Sequence, residues 1–317
     1  MTTSFAPCGL VVGHATDVDG ATGCTVVRGS ERPFRCAVHV LGRATGTREL
    51  ALLEPAHLVD RVDAILLAGG SAYGLDAAAG VMRWMEERAR GFAVGAGVVP
   101  IVPGAVVFDL APLGRFDARP TPAMGYDACE RAVPEPEEGS VGAGTGATVG
   151  KAAGPAGAMK GGVGMGAADA GDVVVRAVAV VNALGDVRDA RGSIVAGARA
   201  SDGSWLDSAR FMAHGAGEPS RFDAVAGHQT TLCVVSTNIA LDRVALGAVA
   251  RAAGAALYRR ITPVGTSFDG DVIFATSPTA SEVSAPAAQV EALAVEALET
   301  AIERAVRTRA PGEILKG

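Results

Sequence analysis

Lysine and asparagine are almost missing from this chain: Lys151, Lys160 and Lys316 are the only lysines, and Asn182 and Asn238 the only asparagines. Arginine carries nearly all the positive charge. Arginine keeps its proton and cannot serve as a base, whereas a buried lysine can lose its own, so two lysines in one glycine-rich stretch draw notice. Cysteine is sparse as well. Cys8, Cys24, Cys36, Cys129 and Cys233 are odd in number, widely spread and without a C-x-x-C pair, which points away from a disulfide framework and a zinc site and toward reduced, packed thiols. No apolar run approaches the roughly 18 residues of a membrane span, and no basic segment followed by an apolar one opens the chain, so a cytoplasmic location is the expectation. The net charge of −6 leaves no electrostatic footprint for nucleic acid or anionic lipid, and neither partner is expected.

What is present is alanine, glycine and valine in abundance, a composition suited to close packing of helices on sheets in an α/β fold. Leu10–His14, Gly23–Val27 and Cys36–Leu41 read as short strands, and Ala64–Ala68 as a buried strand running into Gly69-Gly70-Ser71-Ala72-Tyr73-Gly74, with a helix over Leu75–Arg90. Tyr73 stands where a nucleophile elbow needs glycine, so a Ser-His-Asp hydrolase of that type is not supported. Val98–Phe108 carries Pro100 and Pro103 and reads as an edge strand or an extended connector. Prolines and acids cluster from Arg119 to Glu138, and Pro134–Glu138 reads as an exposed loop.

The glycine-rich Gly139–Lys151 stretch tempts a phosphate-loop reading. Thr145 and Ala152 occupy positions that motif reserves for glycine and for serine or threonine, and the reading fails. Glycines at this density let backbone approach closely or aim N–H groups at a developing oxyanion, which makes Gly144, Thr145, Gly146 and Lys160 candidates for a substrate or oxyanion loop. Val173–Leu184 is a strong buried strand carrying Asn182 near its end. Residues 186–220 read as a long polar excursion, 241–260 and 285–307 as helices.

In Gly227–Asn238 a polar lead meets two hydroxyl residues, Thr230 and Thr231, at the mouth of an apolar strand. Ordinary β-propensity accounts for such a pair. A cut before Thr230 would do more: that residue would then hold a hydroxyl nucleophile and a free α-amine of pKa about 8 to take its proton. Asp269-Gly270-Asp271 enters a further strand, as a solvated turn or as two carboxylates that tune such a nucleophile.

With these residues placed, the chain resembles the P1-family peptidases, the self-cleaving aminopeptidases that include L-aminopeptidase/D-esterase, β-peptidyl aminopeptidases and nylon-oligomer hydrolase. The resemblance is carried by Gly23–Val27, Gly46–Glu49, Gly69–Leu75, Val99–Pro103, Gly142–Gly146, Lys160–Gly162 and Phe268–Asp271. It implies an N-terminal-nucleophile hydrolase in a four-layer αββα sandwich, formed as one domain over 1–317 and cut at Gln229/Thr230 into a large fragment, 1–229, and a small one, 230–317. It places the nucleophile on Thr230, an oxyanion or positioning asparagine on Asn182, the aspartate pair on Asp269 and Asp271, and the lysine on Lys151, with Lys160 as its rival. It implies a small peptide or amide substrate, no metal or organic cofactor, and a homo-oligomer, a tetramer of fragment pairs. Family members carry Asn or Gly before the nucleophile where this chain has Gln229. The alternative expectation is an uncut, catalytically silent relative that binds a small amino compound.

Overall fold

The computed structural model describes residues 3–214 and 229–307. Two five-stranded sheets form its centre. The first takes β1 (Leu10–Asp17), β2 (Thr22–Gly29), β4 (Gly46–Arg48), β5 (Ala64–Ala68) and β6 (Gly104–Val106), in the order β1-β2-β5-β6-β4. The second takes β3 (Arg35–Val40), β7 (Gly162–Ala170), β8 (Val173–Asn182), β9 (Thr230–Thr237) and β10 (Val272–Ser277), in the order β7-β8-β9-β10-β3. Pairing is antiparallel except for β5 with β6 and β9 with β10.

Both faces of each sheet are covered, so the central strands are apolar throughout instead of alternating with polar residues. In β5, Ile65 and Leu67 pack between the sheets with Val178, Val180, Leu232, Val234 and Phe274, while Ala64, Leu66 and Ala68 face α1 (Ala77–Glu86) and α2 (Pro122–Glu130). Beyond the second sheet lie α4 (Arg243–Arg260) and α5 (Ala287–Arg307), and α3 (Ser208–His214) precedes the undescribed 215–228 segment. The arrangement is the expected four-layer αββα sandwich.

Small residues set the spacing of its outer layer. Gly162, Gly164 and Gly166 share one face of β7, and Ala297, Ala301 and Ala305 recur every fourth residue on α5. A Cβ on Gly166 would lie 1.8 Å from the Ala297 carbonyl oxygen, and one on Gly164 would lie 2.1 Å from that of Ala301. Gly166→Val therefore forces the helix off the sheet, and the expected result is a loss of about 1–3 kcal/mol or more in denaturant unfolding. An unchanged midpoint would show that α5 can slide to make room.

Several expectations are corrected. The helix expected from Leu75 begins at Ala77, after a tight 3-10 turn over Ser71–Asp76 in which Gly70 and Ser71 take positive φ of 76° and 53°. It ends at Glu86, short of Arg90. A helix for which no expectation was stated, α2, lies in the proline- and acid-rich 119–138 segment: Thr121 caps it, its hydroxyl accepting from Met124 N–H, and Pro122 occupies the first turn, where no N–H is needed. The prolines of 98–108 fall outside the ladder, which lets β6 sit inside the first sheet between β5 and β4 instead of at an edge. Part of the 186–220 excursion is ordered around buried Asp186, which accepts from the N–H of Ala198 and from the N–H and hydroxyl of Ser208. All five cysteines are buried free thiols, as the composition implied.

Candidate active site

The first residue of β9 is Thr230, and its position follows from the strands on either side. It pairs with Asn182, the last residue of β8, at the end of an antiparallel ladder. Toward β10, Gln229 bridges to Asp269 in parallel register. Gln229 and Thr230 are both buried. The Gln229 carbonyl oxygen accepts from the Thr230 hydroxyl at 2.6 Å and from the Gly270 N–H at 2.8 Å. The peptide expected to be cut thus lies between a hydroxyl and a backbone donor. Gly227 and His228, just upstream, lie outside the described residues.

The Asp269–Asp271 turn is as buried as the threonine. Asp271 Oδ1 accepts from the Thr231 N–H at 2.7 Å, and Asp269 Oδ2 accepts from the Thr266 N–H at 2.7 Å. Burial, reinforced by the negative charge of Asp269, pushes the Asp271 carboxyl up to about 8. Burial also raises Asp269, against its hydrogen bonds from Thr266 and the charge of Lys151. A raised acid binds its proton in the folded state, so the stability it contributes is complete below about pH 4 and disappears as pH rises through about 8. In an uncut Thr230→Ala background, adding Asp271→Asn should abolish that fall: between pH 5 and 9 the melting temperatures of the two chains should diverge by at least about 5 °C. A difference that stays flat across this window would show that Asp271 does not titrate there.

Lys151 Nζ donates to Asn182 Oδ1 at 2.9 Å and to the Asn182 carbonyl at 3.2 Å. Burial brings its ammonium down to about 7, against the charges of Asp269 and Asp109, which draw it upward. Asn182 Oδ1 also accepts from the Thr148 N–H, and Asn182 Nδ2 donates to the Phe108 carbonyl at 3.0 Å. One asparagine, the register partner of Thr230, therefore ties together the lysine, Thr148 of the glycine-rich segment and Phe108.

Lys160 has a different setting. Its Nζ donates to the carbonyls of Gly144, Ala147 and Gly161, which makes it a strut beneath the glycine loop. The N–H groups of Gly144 and Thr145 bond to the Val141 and Gly142 carbonyls, and the Thr145 hydroxyl also donates to Gly142. Gly146 is needed for close packing, since a Cβ there would lie 2.1 Å from the Ala21 carbonyl and 2.7 Å from Asp109 Cβ. Tight 3-10 turning directs the N–H groups of Gly144 and Thr145 at their own loop's carbonyls. A backbone N–H that does reach the Gln229 carbonyl is that of Gly270.

Two contributors were not anticipated from the sequence. Asp109 is fully buried next to Phe108, accepting from the Thr22 hydroxyl at 2.8 Å and the Gly70 N–H at 2.6 Å, with burial raising it to about 6. Its signal was a lone carboxylate closing the apolar 105–108 run. Residues 41–44 also reach the site, through four backbone N–H groups on the Asp269 and Asp271 carbonyls. His14, set aside as structural, bonds through Nδ1 to the Thr25 hydroxyl. Among the described residues, no group of three or more His, Cys, Asp or Glu side chains could hold a metal ion.

Comparison with known proteins places this geometry. The profile of peptidase family S58 matches residues 8–310. An uncharacterized aminopeptidase of Mycobacterium tuberculosis is 40% identical over 324 residues, covering 98% of this chain and 91% of its own. A 6-aminohexanoate-oligomer endohydrolase of Kocuria sp. is 33% identical over 286 residues, covering 88% of this chain and 75% of its own. The solved L-aminopeptidase D-Ala-esterase/amidase of Ochrobactrum anthropi, a variant of the Ntn-hydrolase fold, superposes with a TM-score of 0.69 at 20% identity, over 96% of this chain and 86% of that one. The resemblance read from the sequence holds over nearly the whole chain: it belongs to peptidase family S58 and is an amide-bond hydrolase built on the Ntn-hydrolase fold.

Proposed function

We propose that the chain matures by cutting itself between Gln229 and Thr230 and then acts as an aminopeptidase or related amidohydrolase with Thr230 as its N-terminal nucleophile. The observation that carries this reading is the Gln229 carbonyl, held at 2.8 Å by the Gly270 N–H with the Thr230 hydroxyl 2.6 Å away, beside Asp269, Asp271, Lys151 and Asn182. The hydroxyl oxygen adds to the Gln229 carbonyl carbon, and its proton passes to the Thr230 nitrogen as the C–N bond breaks. The resulting ester takes up water, which leaves a carboxylate on Gln229 and the hydroxyl and amine of Thr230 free. In turnover that amine, of pKa about 8, takes the hydroxyl proton. Lys151, anchored on Asn182, and the Asp269–Asp271 pair tune the transfer.

The fragments, 1–229 and 230–317, stay together as one domain. β9 and β10 come from the small fragment but hydrogen-bond to β8 and β3 of the large one, so dissociation would break a ladder on each side. The substrate class is a small peptide or amide oligomer, the enzyme a cytoplasmic homo-oligomer of fragment pairs.

Denaturing mass spectrometry of purified, active protein tests the reading. Two species, the second starting at Thr230, support it. An intact 31.8 kDa chain that still hydrolyses aminoacyl p-nitroanilides overturns it. An intact, inactive chain stabilised by small amines would favour the uncut binding protein to which Gln229, in a place where the family carries Asn or Gly, lends its support.

A further inference from the structure

We propose that the backbone N–H of Gly270 is the oxyanion donor for self-cleavage, and for the acyl transfers that follow, and that residues 41–44 are built to aim it. The proposal rests on the self-cleaving reading above and names a group within that site. The Asp269–Gly270 peptide unit is fixed at its carbonyl end: Asp269 O accepts from the N–H of Arg43 at 2.7 Å and of Ala44 at 3.0 Å. The next carbonyl, Asp271 O, accepts from Leu41 at 3.0 Å and Gly42 at 3.1 Å. A peptide group is planar, so pinning Asp269 O leaves its Gly270 N–H one direction, and that direction ends on Gln229 O at 2.8 Å. Two donors on the carbonyl also polarise the unit and strengthen its N–H as a donor.

Two glycines make this approach possible. A Cβ on Gly270 would lie 2.6 Å from both the Thr230 hydroxyl oxygen and the Ala44 carbonyl. A Cβ on Gly42 would lie 2.3 Å from Asp271 N, 2.4 Å from Asp269 O and 2.6 Å from Gly270 Cα. Neither glycine has a positive φ, so proximity and not backbone conformation demands them. As the Thr230 oxygen adds to the Gln229 carbon, the carbonyl π pair moves onto the oxygen already facing this N–H, and no donor has to be reoriented. Once Gln229 leaves, an incoming acyl carbonyl bound in its place meets the same donor.

The test removes the N–H without altering shape: glycolic acid is installed at position 270 by nonsense suppression, giving a backbone ester. Self-cleavage of the folded chain, followed by denaturing mass spectrometry, should slow by about 10²–10³-fold. In material that has matured, kcat for aminoacyl p-nitroanilides should fall with KM near the wild-type value, as expected for a donor engaged in the transition state. Gly42→Ala, which keeps the N–H and disturbs its aim, should slow cutting by about 10- to 100-fold. Melting curves recorded alongside separate chemistry from folding. Wild-type cutting rates in the folded ester chain overturn the proposal, and so do wild-type rates in Gly42→Ala if the ester chain does not fold. A wild-type chain that never cuts overturns the self-cleaving reading instead.

Discussion

Thr230→Ala should leave one chain of 31.8 kDa and lower hydrolysis of aminoacyl p-nitroanilides by about 10⁴- to 10⁶-fold, the scale on which removing a covalent nucleophile acts. The fold should survive the change. Thr230 begins a ladder whose core residues, Leu232 and Val234, are untouched, and its side chain loses only one methyl group and one hydroxyl, the latter bonded to the carbonyl before it. Near-wild-type melting together with complete loss of cutting would therefore locate the defect in chemistry. Thr230→Ser, which keeps hydroxyl and amine and loses one methyl group, should still yield both fragments. If Thr230→Ala matured normally, another residue would have to be the nucleophile. Thr231 is the neighbour to exclude, yet its N–H is already committed to Asp271 and it begins no chain in the proposed cut.

How much of this was legible beforehand depended on whether side chains or backbone carried the information. The strands β8, β9 and β10 were readable because burial on both faces leaves long apolar runs, and the polar residues at their mouths, Asn182, Thr230, Asp269 and Asp271, then stood out by contrast. Helix α2 was not, because its Pro122 and acidic flanks suggest loop unless Thr121 is recognised as a cap. The three-residue β6 is too short to show any periodicity. Gly270 was visible only as a spacer between two aspartates, since a backbone N–H donor has no side chain to announce it. The choice between Lys151 and Lys160 could not be made from sequence either. Both are buried on one glycine-rich segment, and only the path of that segment shows that the first reaches Asn182 while the second supports the loop.

Lys151→Arg should reduce activity by about 10²–10⁴-fold and erase the rise in kcat/KM expected of the wild type as pH passes through about 7. The argument runs through desolvation. Lys151 is 4% exposed, and burial brings its ammonium to about 7 despite the nearby charges of Asp269 and Asp109, so near neutral pH about half the enzyme carries a free amine that can accept a proton. A guanidinium at the same place stays protonated throughout this range and can only donate. Lys151→Met separates charge from chemistry, because it removes the titrating amine that tunes the transfer and with it the cost of burying an ammonium. Its sign in stability follows from linkage: the unfolded lysine binds its proton up to about 10.5 and the folded one only to about 7, so the wild type gains stability between these values and is penalised below them. In the uncut Thr230→Ala background, Lys151→Met should therefore melt higher than its parent at pH 6, with the advantage shrinking toward pH 10, while in the otherwise wild-type chain it is nearly inactive. A rising limb near pH 7 that persists in Lys151→Met would assign the titration to another group, and the Thr230 α-amine, with its ordinary pKa of about 8, would be the first to test.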